Sequence, residues 1–204
     1  VIAVVDYGLG NVQAIANIYK RLDIPVVLAR DPATLAGASH LILPGVGAFD
    51  WAMARLDASG MRPALQESVL QQKRPVLGIC VGMQMLALHS DEGQASGLGW
   101  IDAGVRLFDH AKFTSRTHLP HMGWNDVEPV HALGLFDGLG EDARFYFLHS
   151  YLFAPSDPAD VAATTVYGDR FACAVRRDNV YGVQFHPEKS HQWGIRLLKN
   201  FAAI

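Results

Sequence analysis

Cys80 is framed as Gly78-Ile79-Cys80-Val81-Gly82, between an apolar run and an amphipathic stretch, Met83–Leu88. The pattern Gly-x-nucleophile-x-Gly marks a sharp strand-to-helix turn. A side chain at either glycine would strike the neighbouring strand or helix. Such a turn exposes the sulfur at the carboxyl end of a sheet, where open α/β folds place their sites. A helix following it would aim its N-terminus at the sulfur and favour thiolate. The Val81 N–H would point towards a developing oxyanion. A buried structural cysteine fits the same residue type, since free cysteine is among the most buried side chains. What separates the two readings is a base, because a free thiol is only a few per cent thiolate at pH 7.

His186 supplies that base, in Tyr181-Gly182-Val183-Gln184-Phe185-His186-Pro187-Glu188-Lys189-Ser190. An apolar strand is expected to end at this histidine, with Pro187 stopping the ladder. Glu188 lies two residues on, and in an extended segment i and i+2 share a face. The carboxylate would then hold one ring nitrogen while the other meets the sulfur, which is the logic of a nucleophile–base–orienter triad. No other histidine has this setting. His118 and His121 are spaced like metal ligands, but Pro120 lies between them and no partner cluster is evident. Cys173 lacks a glycine frame and reads as a core residue of the strand Phe171–Val175.

Two glycine loops accompany the elbow. Pro44-Gly45-Val46-Gly47-Ala48-Phe49 would let backbone approach a substrate and supply a second oxyanion donor, or it is an ordinary strand-to-helix turn. Asp6-Tyr7-Gly8-Leu9-Gly10-Asn11-Val12-Gln13 opens like a dinucleotide fingerprint, with Asp31 where a ribose-binding acid would fall. Gln13 occupies the place of the third glycine, so the fingerprint is incomplete.

The elements that must position these residues alternate in the first half. Val1–Val5, Pro25–Leu28, Leu41–Leu43 and Val76–Ile79 read as strands, the third stopped by Pro44 and Gly45. Asn11 can cap a helix carrying Val12, Ile15, Ile18, Tyr19 and Leu22 on one side. Further helical patterns surround Ala52–Leu56 and Pro63–Gln72. Continuous apolar strands separated by helices predict an α/β fold with a parallel sheet covered on both faces. The second half offers shorter strand-like runs, Val105–Phe108, Phe145–Phe147, Val161–Thr165, Phe171–Val175 and Tyr181–Phe185, before a last helix near Gln192–Ala202.

The 204 residues carry no repeat or linker and are expected to form one domain, 1–204. Half are hydrophobic and 18% are charged, an ordinary globular balance. The net charge of −3 lacks the basic excess of a nucleic-acid-binding protein. Two cysteines exclude a disulfide framework and suit a reducing cytoplasm. Val1–Asp6 reads as a strand and not a signal peptide, and Val76–Leu88 is too short to span a bilayer.

Together these segments resemble the class I, triad-type glutamine amidotransferase family, and within it the glutaminase subunits of imidazole glycerol phosphate synthase. The resemblance runs from Asp6-Tyr7-Gly8-Leu9-Gly10-Asn11 to the last helix. Its specific markers, in order, are Pro44-Gly45-Val46-Gly47, Pro120-His121-Met122-Gly123-Trp124-Asn125, His149-Ser150-Tyr151 and His186-Pro187-Glu188-Lys189-Ser190. It implies a flavodoxin-like open, mostly parallel central sheet flanked by helices, with additional antiparallel strands. It also implies that Cys80 attacks the side-chain amide of glutamine, that His186 protonates the leaving ammonia and then activates water, and that Glu188 orients the histidine. Val81, Val46 and Gly47 would receive the oxyanion on backbone N–H groups. Gly45, Gln84, Glu92, Ser150 and Tyr151 match positions around the bound glutamine. Read without the family, Glu92 is a solvated loop acid. Val81 stands where leucine is usual, a change that leaves a backbone donor intact.

The resemblance further implies no cofactor and a partner, a cyclase subunit of (β/α)₈-barrel fold forming a heterodimer in histidine biosynthesis. Trp124, Asn125 and Lys189 match positions near that subunit boundary, and Asn11 could also face the partner. Activity is expected to stay low until the partner binds its ligand, with a peptide flip in Pro44–Gly47 as the moving part. Two rivals remain at this level: the glutaminase subunit of another amidotransferase, of the anthranilate synthase type, and a non-hydrolytic flavodoxin-like redox sensor. The first is opposed by Pro120–Asn125 and Lys189-Ser190. The second has no need of His-Pro-Glu.

Overall fold

The computed structural model describes residues 1–115, 117–130 and 134–204. Its first half runs β1 (Ile2–Val5), α1 (Val12–Arg21), β2 (Val26–Ala29), α2 (Pro32–Ala36), β3 (His40–Gly45), α3 (Phe49–Ala58), α4 (Arg62–Gln66) and β4 (Val76–Cys80). A short helix α5 (Val81–Gln84) leads to β5 (His89–Ser90) and β6 (Ala103–Leu107). Then come β7 (His121–Asp126), β8 (Glu128–Pro129), β9 (Arg144–His149), β10 (Tyr151–Pro155), β11 (Val161–Tyr167), β12 (Asp169–Arg177), β13 (Val180–Val183) and α6 (His191–Phe201).

The main sheet is ordered β2-β1-β3-β4-β13-β12-β10-β6-β5, with β11 and β8 attached beside β12. From β2 to β13 all neighbours are parallel; β13, β12, β10 and β6 then pair antiparallel, and β5 joins β6 in parallel at the far edge. Every residue of β1, β4 and β13 is buried, so both faces of this central region are covered. Among the covering helices, α1 and α6 are joined by the Tyr19 hydroxyl, which donates to the Leu198 carbonyl at 2.9 Å. β7 and β9 form a separate two-stranded antiparallel sheet, bridged to the main body through Tyr146 and His186. Among the described residues no helix is long and apolar enough to cross a membrane.

Several expectations are corrected. Asn11 stands at the N-cap of α1 but its side chain makes no cap hydrogen bond. Its backbone φ of −90° and ψ of 59° depart from the extended conformation in which a cap side chain reaches the first turn. β3 runs on through Pro44 and Gly45, which pair with Ile79 and Cys80. Proline is tolerated because β1 ends its pairing at Ile42, leaving that edge of β3 without a neighbour. Asp31 caps α2 through the Thr34 N–H at 2.9 Å, which accounts for its position without a nucleotide. The helix after Cys80 stops at Gln84 because Leu98, Gly99 and Trp100 donate to the carbonyls of Met85, Ala87 and Leu86. Those acceptors are then unavailable to another helical turn.

Candidate active site

Cys80 ends β4 with φ 56° and ψ −115°, a left-handed conformation that non-glycine residues rarely adopt. Close backbone packing holds it there. A Cβ on Gly82 would lie 1.9 Å from the Leu43 carbonyl oxygen, and one on Gly78 would lie 2.7 Å from the Gly82 oxygen. The start of α5 therefore presses on β3 and β4, and the chain can turn only through a strained residue. Such strain costs about 1–3 kcal/mol and is held by its surroundings. Val81 opens α5, where backbone N–H groups have no helical acceptor. Cys80 is buried but lines a cavity, so its sulfur is not sealed in hydrocarbon. Sγ lies 3.8 Å from the Leu148 carbonyl and accepts from Gln184 Nε2 at 3.8 Å.

β13 pairs in parallel with β4, Gly182 beside Gly78 and Val183 beside Ile79. This pairing carries the chain to His186 next to the elbow. The strand stops at Val183, short of the histidine, and Pro187–Lys189 forms a 3₁₀ turn. The i, i+2 geometry of an extended segment therefore does not bring Glu188 to His186. The tight turn does, with His186 Nδ1 2.9 Å from Glu188 Oε1. Ser190 fixes this turn to β9: its hydroxyl donates to the His186 carbonyl at 2.6 Å and accepts from the Tyr146 N–H at 3.0 Å. The His186 N–H donates to the Tyr146 carbonyl at 2.8 Å. Burial pushes the His186 pKa down, but hydrogen bonds to Cys80 and Glu188, with the negative charge of each, outweigh it and raise it to about 10.

The cavity, about 310 Å³, is lined by Val46, Gly47, Val81, Gln84, Glu92, Ser150, Tyr151 and Lys189 besides Cys80 and His186. Gly45 lies beneath it, where a Cβ would meet the Gly82 nitrogen at 2.4 Å. Gly47 has φ +82° and open space around a notional Cβ, so conformation and not room demands glycine there. Glu92 is half-buried, and its Oε2 accepts from the Phe49 N–H, the first of α3, at 3.0 Å. A larger cavity of about 490 Å³ beside Asp160, Arg177 and Tyr181 contains neither cysteine nor histidine.

Three of the remaining sequence candidates lie outside the cavity lining. Trp124 is exposed on β7, Asn125 is half-buried on the same strand, and Asn11 is exposed. The Asn125 amide is engaged within the chain, donating to the Val166 carbonyl at 2.9 Å. His121 does not pair with His118 around a metal: its Nδ1 lies 3.0 Å from His149 Nε2. Among the described residues no group of three or more His, Cys, Asp or Glu side chains could hold a metal ion. Cys173 is fully buried, as a core residue would be.

Residues that sequence reasoning passes over also meet here. Gln184 is fully buried and accepts from Gln84 Nε2 at 3.1 Å. Its one signal is a glutamine in the apolar run Val183-Gln184-Phe185. Tyr7 donates its hydroxyl to the Pro44 carbonyl at 2.6 Å and so braces the glycine loop. Burial, together with the charge of Cys80, pushes the Tyr7 hydroxyl pKa up.

A cysteine at a sheet's carboxyl end, sharing a cavity with a histidine that is hydrogen-bonded to a glutamate, is the arrangement of a thiol hydrolase or transferase on an open α/β fold. The chain belongs to the class I glutamine amidotransferase family, whose sequence profile matches residues 3–204. It is 61% identical to imidazole glycerol phosphate synthase subunit HisH of Bdellovibrio bacteriovorus over 203 residues, 100% of both chains. Subunit HisH 2 of Pseudomonas aeruginosa is 45% identical over 205 residues, 100% of this chain and 99% of that one. A crystal structure of a glutamine amidotransferase superposes with a TM-score of 0.76 over 100% of both chains. At 22% identity that likeness supports the fold. The expected kinship with the glutaminase subunits of imidazole glycerol phosphate synthase, and the mostly parallel sheet with added antiparallel strands, are both borne out.

Proposed function

We propose that this chain is the glutaminase subunit of an imidazole glycerol phosphate synthase in histidine biosynthesis. It hydrolyses glutamine to glutamate and ammonia and delivers the ammonia to a cyclase subunit of (β/α)₈ fold that makes imidazole glycerol phosphate and AICAR. The observation that carries this reading is His186, hydrogen-bonded to Glu188 and lining with Cys80 one cavity that also holds Gln84, Glu92 and the Ser150–Tyr151 segment.

The Cys80 sulfur attacks the side-chain amide carbon of glutamine, and a tetrahedral oxyanion forms. Backbone N–H groups of Val81 and the Val46–Gly47 loop receive that charge. The C–N bond breaks as His186 gives its proton to the leaving nitrogen, releasing ammonia and leaving a thioester. His186, now neutral, takes a proton from water, whose oxygen adds to the thioester carbon. The C–S bond then breaks and glutamate leaves. A single oxyanion donor contributes about 10²–10³ in rate, so a peptide flip in Pro44–Gly47 gates activity on that scale.

Ammonia must reach the acceptor unprotonated, because ammonium has no lone pair. A partner covering the cavity mouth would keep it from water. The outer face of β7 and β9 is suited to receive such a partner. Met122 faces Leu148 and Trp124 faces Tyr146 across the pair, and Met122 is 65% exposed. Leu148 and Lys189 belong both to this face and to the cavity, and Lys189 Nζ lies 5.7 Å from the centre of the Tyr146 ring. The two unpaired cysteines suit a cytoplasmic setting.

A glutaminase assay with and without the cyclase and its ribonucleotide ligand tests the reading. Turnover should rise at least a hundredfold when both are present, and Cys80→Ala should abolish it while the fold remains. Equal turnover in all conditions, or full activity of Cys80→Ala, would overturn it.

A further inference from the structure

Beside the cavity, which His149 helps to line, is a buried pair of histidines that the reaction above does not use. His121 is 3% exposed and His149 6%. His121 is stacked between Tyr167 and Phe147, with centroids at 3.9 and 4.6 Å and interplanar angles of 18° and 19°. Phe108 and Phe171 pack against both imidazoles. Burial lowers the His121 pKa to about 4. It lowers that of His149 to about 3, with the positive charges of His121 and His186 adding to the effect. Both rings are therefore neutral near pH 7, and each has one N–H and one lone pair.

Fixed backbone groups at the two ends leave one arrangement for those protons. At one end the Tyr151 carbonyl lies 2.7 Å from His149 Nδ1, so that nitrogen donates. His149 Nε2 must then accept, and His121 Nδ1 at 3.0 Å must donate to it. His121 Nε2 is left as an acceptor for Asn125 Nδ2 at 3.3 Å. At the other end the Asn125 amide is pinned by backbone. Its Nδ2 also donates to the Val166 carbonyl, and its Oδ1 accepts from the Asp126 N–H, both at 2.9 Å. The two ends demand the same direction. The Tyr151 carbonyl that closes the relay also accepts from Gln84 Nε2 at 3.2 Å. Gln84 donates to Gln184, which donates to the Cys80 sulfur.

We propose that Asn125, His121 and His149 are positioning residues, a one-directional relay of hydrogen bonds that holds the Tyr151 carbonyl, and through it Gln84, in the geometry that binds glutamine. This rests on the glutaminase reading for the identity of the substrate. β7 carries Asn125 and His121 on its inner side, while Met122 and Trp124 occupy its outer face. The strand offered to the partner is thus the strand on which the relay begins.

The test combines ¹⁵N–¹H correlation spectra of the imidazoles in the full chain with steady-state kinetics of Asn125→Asp. In the wild type, His121 and His149 should both be Nδ1–H tautomers and should not titrate between pH 5 and 8. Asn125→Asp replaces the terminal donor with an acceptor facing the His121 lone pair. It should change the tautomer or protonation of His121 and raise KM for glutamine on the order of tenfold, with a smaller change in kcat. Nε2–H tautomers in the wild type, or titration near pH 6.5, would overturn the relay. So would an Asn125→Asp variant with altered imidazoles and an unchanged KM. The wild-type spectra need no turnover, so a chain lacking glutaminase activity would count against the proposed function and not against the relay.

Discussion

His186 keeps a proton that its burial alone would remove, because Cys80 and Glu188 lie close enough to stabilise its charged form. A proton held up to about pH 10 is available at neutral pH for a leaving amine. It also links to stability. The folded-state pKa lies above the unfolded value near 6.5, so the stabilisation is fully present below pH 6.5 and is lost as pH rises towards 10. Urea midpoints measured from pH 6.5 to 10 should therefore fall in the wild type. The fall should be smaller in His186→Gln, whose glutaminase turnover should drop at least a hundredfold because triad members act as a unit. An identical alkaline fall in both proteins would remove this assignment of charge.

Much of the proposed site is legible in the sequence, since Gly78, Cys80 and Gly82, and likewise His186 and Glu188, are close neighbours in the chain. The way they are joined is less so. Glu188 reaches His186 through a 3₁₀ turn and not through an extended strand, because Ser190 and Tyr146 capture the backbone there.

At the scale of elements, the elbow is a packing problem between α5, β3 and β4. The two glycines that frame Cys80 are needed for space: Gly82 has a negative φ and no conformational need of its own. Gly82→Ala would place a methyl 1.9 Å from the Leu43 carbonyl, against backbone that cannot yield without moving β3. Gly37, at the end of α2, has only the Thr34 carbonyl at 3.7 Å from such a methyl, with φ −84°. Thermal unfolding should show Gly82→Ala losing several kcal/mol or failing to fold, with Gly37→Ala near neutral. Equal melting temperatures for the two variants would show that the close approach at the elbow does not constrain the fold.

The parallel half of the sheet follows from its apolar runs, since Ile2–Val5 and Val76–Cys80 are buried at every position. β7 escapes the same reading because its alternation is inverted. Met122 and Trp124 point outwards while His121 turns in. A pattern rule that sends apolar residues to the core assigns such a strand to the wrong face or to none.

The molecule as a unit presents an apolar outer face on β7 and β9 beside the cavity that Cys80 and His186 line. Large exposed side chains grouped in this way mark interaction surfaces. Met122→Glu places a charge at the centre of that face. It should weaken association with the proposed cyclase partner by tenfold or more, as measured by isothermal titration calorimetry. An unchanged Kd would move the docking surface elsewhere.

Short stretches of the chain suffice to assign the parallel half of the sheet and the family, and to single out the residues proposed to carry the chemistry. These depend on spacing within a segment, where backbone sterics and hydrophobic period act between near neighbours. That β13 lies beside β4, setting Gly182 against Gly78 and so bringing His186 to Cys80, emerges in the folded chain alone. The same holds for the pairing of His121 with His149 and of Gln184 with Gln84. Pairing between distant strands, and the partner that lets a polar group be buried, are set by contacts far apart in the chain, and no local pattern encodes them.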